Sequence, residues 1–498
     1  MKNAFNLIDE PWIEVSEYGL VSLRQIFENK RYLALGGSPQ LKICLLKFLT
    51  AIAMAACKLK TEEELMSLSS ADMSKKCLNY LTLRHDQFYL YGERPFLQMP
   101  QISGAKEQPL GALQPEVAAG NTTVLTQTQL EHHPTDALKA QLVLLLQSSA
   151  LGGKKADNKV VLSPSYMGKT KPNGKPTSAS PGPAVSYLGL THTFLMGKTL
   201  IETVWLNLFS EEAIEGLNLF SEGIGVPPWE SMPEGEDDDT AKRLKSSLMG
   251  RLVPVSRFCL LSANGGMHIT EGLAHLNYAD GIYDLSISVD NSLKKTRVLW
   301  VNPNKRPWRE LPALLSFIGA NSGGFRCYQL QVNLKRARSS TERFGIWSGG
   351  LKVSSNAGEQ YVSGGDDYVE SLVWFDSNVF GDSTWFDRLS AEMQALESVS
   401  KNLYAAVRAY FTEFKLEGAD HASKATQIFW EIMESRFGEL SDCCEESATA
   451  DLRIKFRRNT TYSIAEIYDD HCPSGTARQI ETWAESRPNM SKYLKGEK

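Results

Sequence analysis

Apolar positions alternate loosely at the start of the chain. Phe5, Leu7 and Ile8, then Trp12, Ile13 and Val15, predict two short strands with a turn at Pro11. Over residues 41–58 the period lengthens to three and four in an Ala- and Leu-rich run, which predicts a buried helix. Residues 83–99 mix aromatic and apolar positions around Gly92 and Pro95 and predict a hairpin. A second helix is expected over 138–151, stopped by Gly152-Gly153. Short apolar runs between Gly-Gly and Asp-Gly turns predict strands over 259–301. A helix opens at 311–318, and 326–332 reads as a strand. From Trp385 onward the pattern is helical throughout, with Leu389, Met393, Leu396, Val399, Leu403 and Val407 on one face. Further helical stretches follow at 422–439, 446–468 and 475–494. The expected architecture is α+β, with a large mixed α/β domain over residues 1–378 and an all-α four-helix bundle over 379–498.

Between these elements lie segments without periodicity. Residues 154–183 are rich in Lys, Gly, Ser and Pro, and 348–365 are rich in Gly and Ser. Long aperiodic loops inside a globular chain are functional or disordered. The acidic run 234–239 reads as a solvated loop, and Lys335, Arg336, Arg338 and Arg343 form the densest basic cluster.

Composition narrows the function classes. A chain of 498 residues with 42% apolar positions can bury a sizeable core in roughly two to four domains. Its formal net charge of -5 counts against a free-standing DNA binder unless basic residues cluster locally. No apolar run reaches the roughly 18 residues that span a bilayer, since residues 43–57 are broken by Lys47. Residues 1–11 carry Asp9 and Glu10 and lack a signal-peptide core, so the expected location is cytoplasmic, away from membranes.

Catalytic and metal-binding patterns are largely missing. The two Gly-Lys-Thr triplets, at 168–170 and 197–199, have Ser163 and His192 where a phosphate-binding loop needs glycine. No HExxH or Gly-x-Ser-x-Gly pattern occurs. Cys443, Cys444, His471 and Cys472 lack a CxxC pair, so no metal and no cofactor are expected. Asp366 and Asp367 are the one carboxylate pair a metal-dependent nuclease could use, although neighbours on a strand point to opposite faces. The glycine-rich loops suit a different task. Glycine lets backbone amides approach a duplex closely, lysines offset phosphate charge, and Asn or Gln at a loop tip can read or wedge base pairs.

Three ordered motifs carry a family resemblance. The opening Phe5-Asn6-Leu7-Ile8-Asp9-Glu10-Pro11-Trp12-Ile13 resembles the N-terminal signature of the CasA family, the large subunit of the type I-E CRISPR complex Cascade. Arg94-Pro95-Phe96-Leu97-Gln98 is similar to a second family segment. The third runs from Ile346-Trp347-Ser348-Gly349-Gly350-Leu351 through Asn356-Ala357-Gly358-Glu359-Gln360-Tyr361, Gly364, Asp366 and Asp367 to Glu370-Ser371.

The resemblance implies a non-enzymatic subunit of a crRNA complex that contacts backbone and small subunits. It would read the protospacer-adjacent motif of double-stranded target DNA through the minor groove, help open the duplex, and recruit a helicase-nuclease in trans. Base pairing then reads the rest of the target. The family's wedge would fall on Ser355, Asn356 and Ala357, with Gln360 as the competing position. Its glycine loop would fall around Gly168, Lys169 and Lys171. His275 lies nearest to the groove-inserted lysine, with a structural histidine as the alternative. The loop that touches the crRNA end would include Asn121, Val124 and Leu125, or be a plain surface loop. A scaffold without DNA readout, or a nuclease using Asp366 and Asp367, are the competing functions.

Overall fold

The computed structural model describes residues 4–113, 134–148, 189–276, 278, 281–292, 294–315, 325–352, 368–381, 384–445 and 450–495. They form two compact units. The first comprises Met1–Pro303, Cys327–Ala337 and Trp347–Glu370, and the second Asn304–Arg326, Arg338–Ile346 and Ser371–Lys498.

The chain opens with β1 (Ala4–Asn6), β2 (Ile13–Val15), β3 (Gly19–Val21), α1 (Leu23–Glu28) and α2 (Pro39–Cys57). Next come α3 (Glu62–Ser67), α4 (Ser70–Leu83), β4 (Tyr89–Tyr91), β5 (Glu107–Gln108) and α5 (Asp136–Ser148). After β6 (His192–Met196) follow α6 (Leu200–Leu206), α7 (Glu211–Gly216), α8 (Asp239–Lys245) and α9 (Met249–Leu252). Four strands then succeed one another, β7 (Arg257–Leu261), β8 (Met267–Glu271), β9 (Ser288–Asp290) and β10 (Arg297–Val298).

The first unit is organised around α2. Ser38 caps it by accepting the Leu41 N–H, and Pro39 fills the first turn, where its missing donor is not needed. Lys58, left-handed at φ 47°, ends it. The helix is apolar on all sides and is buried on all sides, packing against α4, α5, α6 and α9. It is long and apolar enough to cross a bilayer, yet 89% of that window is buried inside the protein, which makes it a core helix.

Phe48 of α2 gathers the first two sequence motifs. Trp12 lies 6.1 Å from it and Phe96 5.6 Å, and Trp229 closes the cluster at 5.4 Å between ring centroids. Trp12 donates its indole N–H to the Leu7 carbonyl, and its own carbonyl accepts from Gln141 of α5. Gln98 donates to Leu90 and accepts from the Leu261 N–H, tying the second motif to β4 and β7.

Several expectations need correction. Residues 83–99 do not form a hairpin, because β4 pairs antiparallel with β1, Ala4 opposite Tyr91 and Asn6 opposite Tyr89. The stretch 326–332 holds only the two-residue strand β11 (Arg326–Cys327) before a helix takes over. The acidic run 234–239 is not simply solvated. Glu236 is buried, pairs with Lys245 at 2.5 Å and accepts from the Ala274 N–H, while Asp238 caps α8.

The second unit begins with a short helix, α10 (Leu311–Leu314). The helix that replaces the expected strand, α11 (Tyr328–Ser340), buries Leu330, Leu334 and Ala337 at helical spacing. Its Arg336, which like Tyr328–Ala337 as a whole belongs to the first unit, is buried and donates to the Leu206 and Leu208 carbonyls, so the basic cluster is not one continuous exposed patch. Strands β12 (Arg343–Leu351) and β13 (Tyr368–Asp376) follow. The described C-terminal helices are α12 (Trp385–Glu413), α13 (Ala419–Ser435), α14 (Phe437–Cys444), α15 (Ala450–His471), α16 (Ala477–Glu485) and α17 (Ser491–Lys495).

Helices α12, α13 and α15 pack on one another, and earlier segments of the same unit seal them. Trp308 meets Trp430 at 5.6 Å and Phe437 at 5.8 Å, and Phe375 meets Trp385 at 5.8 Å and Phe437 at 5.2 Å. Arg309 stacks over Trp430 at 4.0 Å while pairing with Glu397 at 2.7 Å. Cys443, Cys444 and Cys472 are buried free thiols. Among the described residues no group of three or more His, Cys, Asp or Glu is placed to hold a metal ion.

Candidate nucleic-acid interface

One three-stranded sheet, in the order β13-β12-β6, roots both loop segments singled out in the sequence. Described backbone resumes at Gly189, just ahead of β6, after the Lys- and Gly-rich stretch. It pauses after Lys352, directly beyond β12, and resumes at Tyr368, the first residue of β13. Strands β6 and β12 run in opposite directions. Leu190 faces Gly350, the Thr193 and Ser348 hydroxyls are 2.9 Å apart, and Phe194 lies 6.2 Å from Trp347. The beginning of β6 therefore lies beside the end of β12.

The Gly-Gly pair permits that approach. A Cβ on Gly350 would come within 2.6 Å of Val301 Cγ2 and 2.7 Å of the Leu190 carbonyl oxygen. One on Gly349 would come within 2.8 Å of both the Val369 carbonyl oxygen and the Trp347 ring. Only glycine fits where backbones meet so closely. The root of β6 is also held laterally, because Val301 donates to Gly189 and Thr191 donates to Leu299.

Two lysines of α2 are connected to this sheet, one through intermediaries and one directly. Lys47 is buried, forms an ion pair with Asp284, and donates to the Arg251 carbonyl at 3.2 Å. Asp284 accepts from the Ser286 N–H at 3.1 Å and its hydroxyl at 2.8 Å. That hydroxyl lies 2.8 Å from His192 Nδ1, at the first residue of β6. Because Ser286 gives its proton to Asp284, His192 must be the donor of this bond. Burial and then the Lys47 charge push the His192 pKa down to about 3, so the ring is neutral. Burial alone would raise the Asp284 carboxyl, but the Lys47 charge and the hydrogen bonds from Lys47 and the Ser286 N–H outweigh it and the net shift is downward.

The second lysine, Lys42, donates to both Glu370 carboxylate oxygens at 2.8 Å. Trp347 of β12 donates its indole N–H to the same carboxylate at 2.8 Å. One helix is thus connected to β6 through Asp284 and Ser286, and to β13 directly.

A sequence model described as CRISPR-associated protein Cse1 matches residues 6–466. The chain belongs to the Cse1 family. A CasA/Cse1 protein of Thermus thermophilus is 26% identical over 337 residues, which is 62% of this chain and 60% of that relative's length. The solved Cse1 of Thermobifida fusca superposes with a TM-score of 0.72 at 16% identity, covering 97% of each chain. A chain of a CRISPR RNA-guided surveillance complex superposes with a TM-score of 0.66 at 14% identity, covering 98% of this chain and 99% of that one. At such identities the two structures show that the Cse1 fold is shared.

Within this Cse1 chain, most of the sequence-predicted contacts fall outside the described residues. That holds for Gly168, Lys169 and Lys171, for Ser355, Asn356, Ala357 and Gln360, for Asp366 and Asp367, and for Asn121, Val124 and Leu125. His275 is described and is 5% exposed. Its Nε2 donates to the Pro254 carbonyl at 2.6 Å, and its Nδ1 accepts from Arg251 at 3.2 Å. Burial, and then the Arg251 charge, hold its pKa well below the usual histidine value. Both ring nitrogens are engaged internally.

Sequence reasoning missed Lys42, Thr193 and Asp284. Glu370 and Trp347 stood inside the third motif, and His192 was noticed only as a failed glycine position.

Proposed function

We propose that this Cse1 chain is the large subunit of a type I-E Cascade and acts in the cytoplasm as its non-catalytic DNA reader. In this reading it joins a crRNA, backbone subunits and small subunits. It recognises the protospacer-adjacent motif of double-stranded target DNA through the minor groove, helps unwind the duplex, and recruits a helicase-nuclease in trans. Asn356 or Gln360 would wedge or read the motif, with Ser355 and Ala357 beside them, while Gly168, Lys169 and Lys171 would approach the phosphates. Asn121, Val124 and Leu125 would meet the crRNA end. His275 is better suited to bracing Pro254 than to entering a groove.

The observation that carries the proposal is the common root. Two sequence segments whose compositions suit duplex contact adjoin neighbouring, oppositely directed strands in a chain of the Cse1 family, one ahead of β6 and one beyond β12. The test is binding of the reconstituted crRNA complex, with and without this chain, to matched duplexes bearing randomised adjacent motifs. Motif-dependent binding only when the chain is present is the expected result. Equal binding without it would reduce the chain to a scaffold. Alanine at Asn356 or Gln360 should then weaken binding to motif-bearing duplex far more than to a matched single strand. Alanine at Lys169 or Lys171 should weaken all duplexes alike and lower the salt slope by about one.

A further inference from the structure

Among the described residues strand β13 is at the edge of the β13-β12-β6 sheet, with ladder hydrogen bonds from one side. What braces its first residues is the Glu370 carboxylate, which takes three charge-assisted or indole hydrogen bonds. Two come from Lys42 of α2 and one from Trp347 of β12, each at 2.8 Å. Val369, one residue earlier, is pressed against the glycine backbone at Gly349. The same helix holds β6 through Lys47, Asp284 and Ser286. Helix α2 therefore acts as a strut, with Lys47 serving β6 and Lys42 serving β13.

We propose that Lys42, acting through Glu370, is a positioning residue for recognition of the adjacent motif. It fixes where β13 starts, and so where the connection from β12 ends. This inference rests on the reading given under Proposed function and adds to it a residue that touches no DNA. Groups that must meet a groove need support that holds them to a fraction of an ångström, and hydrogen bonds behind the site supply it. The pair is partly exposed, at 24% and 38% of the two side chains, so its contribution to overall stability is small. Its effect on positioning can therefore be separated from folding.

The experiment uses the full reconstituted complex carrying Lys42→Met, Glu370→Gln or Lys42→Arg. Arginine keeps the charge and offers a two-pronged fit to the carboxylate. Affinity is measured for a motif-bearing duplex and for a matched single strand, alongside the thermal midpoint of the free chain. The expected result is about tenfold weaker duplex binding for Lys42→Met and Glu370→Gln, equivalent to about 1.4 kcal/mol. Single-strand affinity and the midpoint should stay at wild-type values, and Lys42→Arg should restore duplex binding. Wild-type duplex affinity in all three variants would overturn the proposal. So would equal losses on both substrates or a fall in the midpoint, since these mark a general structural role. If the unmodified complex itself ignores the motif, the proposed function fails and the positioning role falls with it.

Discussion

Gly350 shows how much a single missing side chain does in this fold. Replacing it with alanine would drive a methyl group into Val301 and the Leu190 carbonyl, whereas a methyl at Gly104 meets nothing within 4 Å. Gly350→Ala should lower stability by about 1–3 kcal/mol, the usual range for overpacking, while Gly104→Ala should leave that region unclashed. Urea midpoints of the two variants check this contrast. His192 sets a pH dependence. The unfolded chain binds a proton near pH 6.5, but the buried native ring does so only near about 3. Across that window the unfolded state holds the extra proton, so stability is full above pH 6.5 and falls as the pH drops toward 3. His192→Gln should flatten the acid limb of a stability profile measured between pH 7 and 4. An unchanged slope would show that other groups set it.

At the scale of elements, α2 combines an apolar shell with one buried cation. Lys47→Met removes the ion-pair partner of the buried Asp284 carboxylate and should cost about 3–5 kcal/mol. Adding Asp284→Asn should recover much of the loss, because the amide is neutral and still accepts from Ser286; equilibrium unfolding of the three variants decides it. The long elements were readable from the sequence for the same reason that they are stable. Both α2 and α12 sustain one period over many residues, and their observed limits lie close to the expected ones. Strand β4 was misread because its partner β1 lies far away in sequence, which no local pattern reports. The start of α11 was misread because Cys327, Leu330 and Val332 fit either period over so short a window. Of the candidate interface, the Gly-Gly pair and Glu370 were visible as parts of a motif. Lys42, Asp284 and Thr193 were not, since each contributes one polar residue from an unrelated segment.

At the scale of the whole molecule, the motifs that carried the family resemblance turn out in large part to be packing residues. Trp12, Phe96 and Gln98 are buried, so those motifs report the fold more directly than they report the function. The helical unit is likewise more than its C-terminal sequence, since Trp308, Phe344 and Phe375 belong to it. A fragment containing only residues 379–498 would uncover Trp385, Trp430 and Phe437. It should bind a hydrophobic dye and melt without a sharp transition. A melt as sharp as that of the full chain would show that the earlier segments are dispensable.

The distance in sequence between those partners has a consequence during synthesis. Arg306 and Glu434, which pair at 2.6 Å beside the Trp308 contacts, are 128 residues apart. At about 5–20 residues per second, a ribosome needs roughly 6–26 s to deliver the second after the first. For the part of that interval after Trp308 has left the exit tunnel, its aromatic partners are not yet made. The nascent chain thus presents a sticky indole for several seconds in every round of translation, and this is the stage at which a chaperone has most to protect.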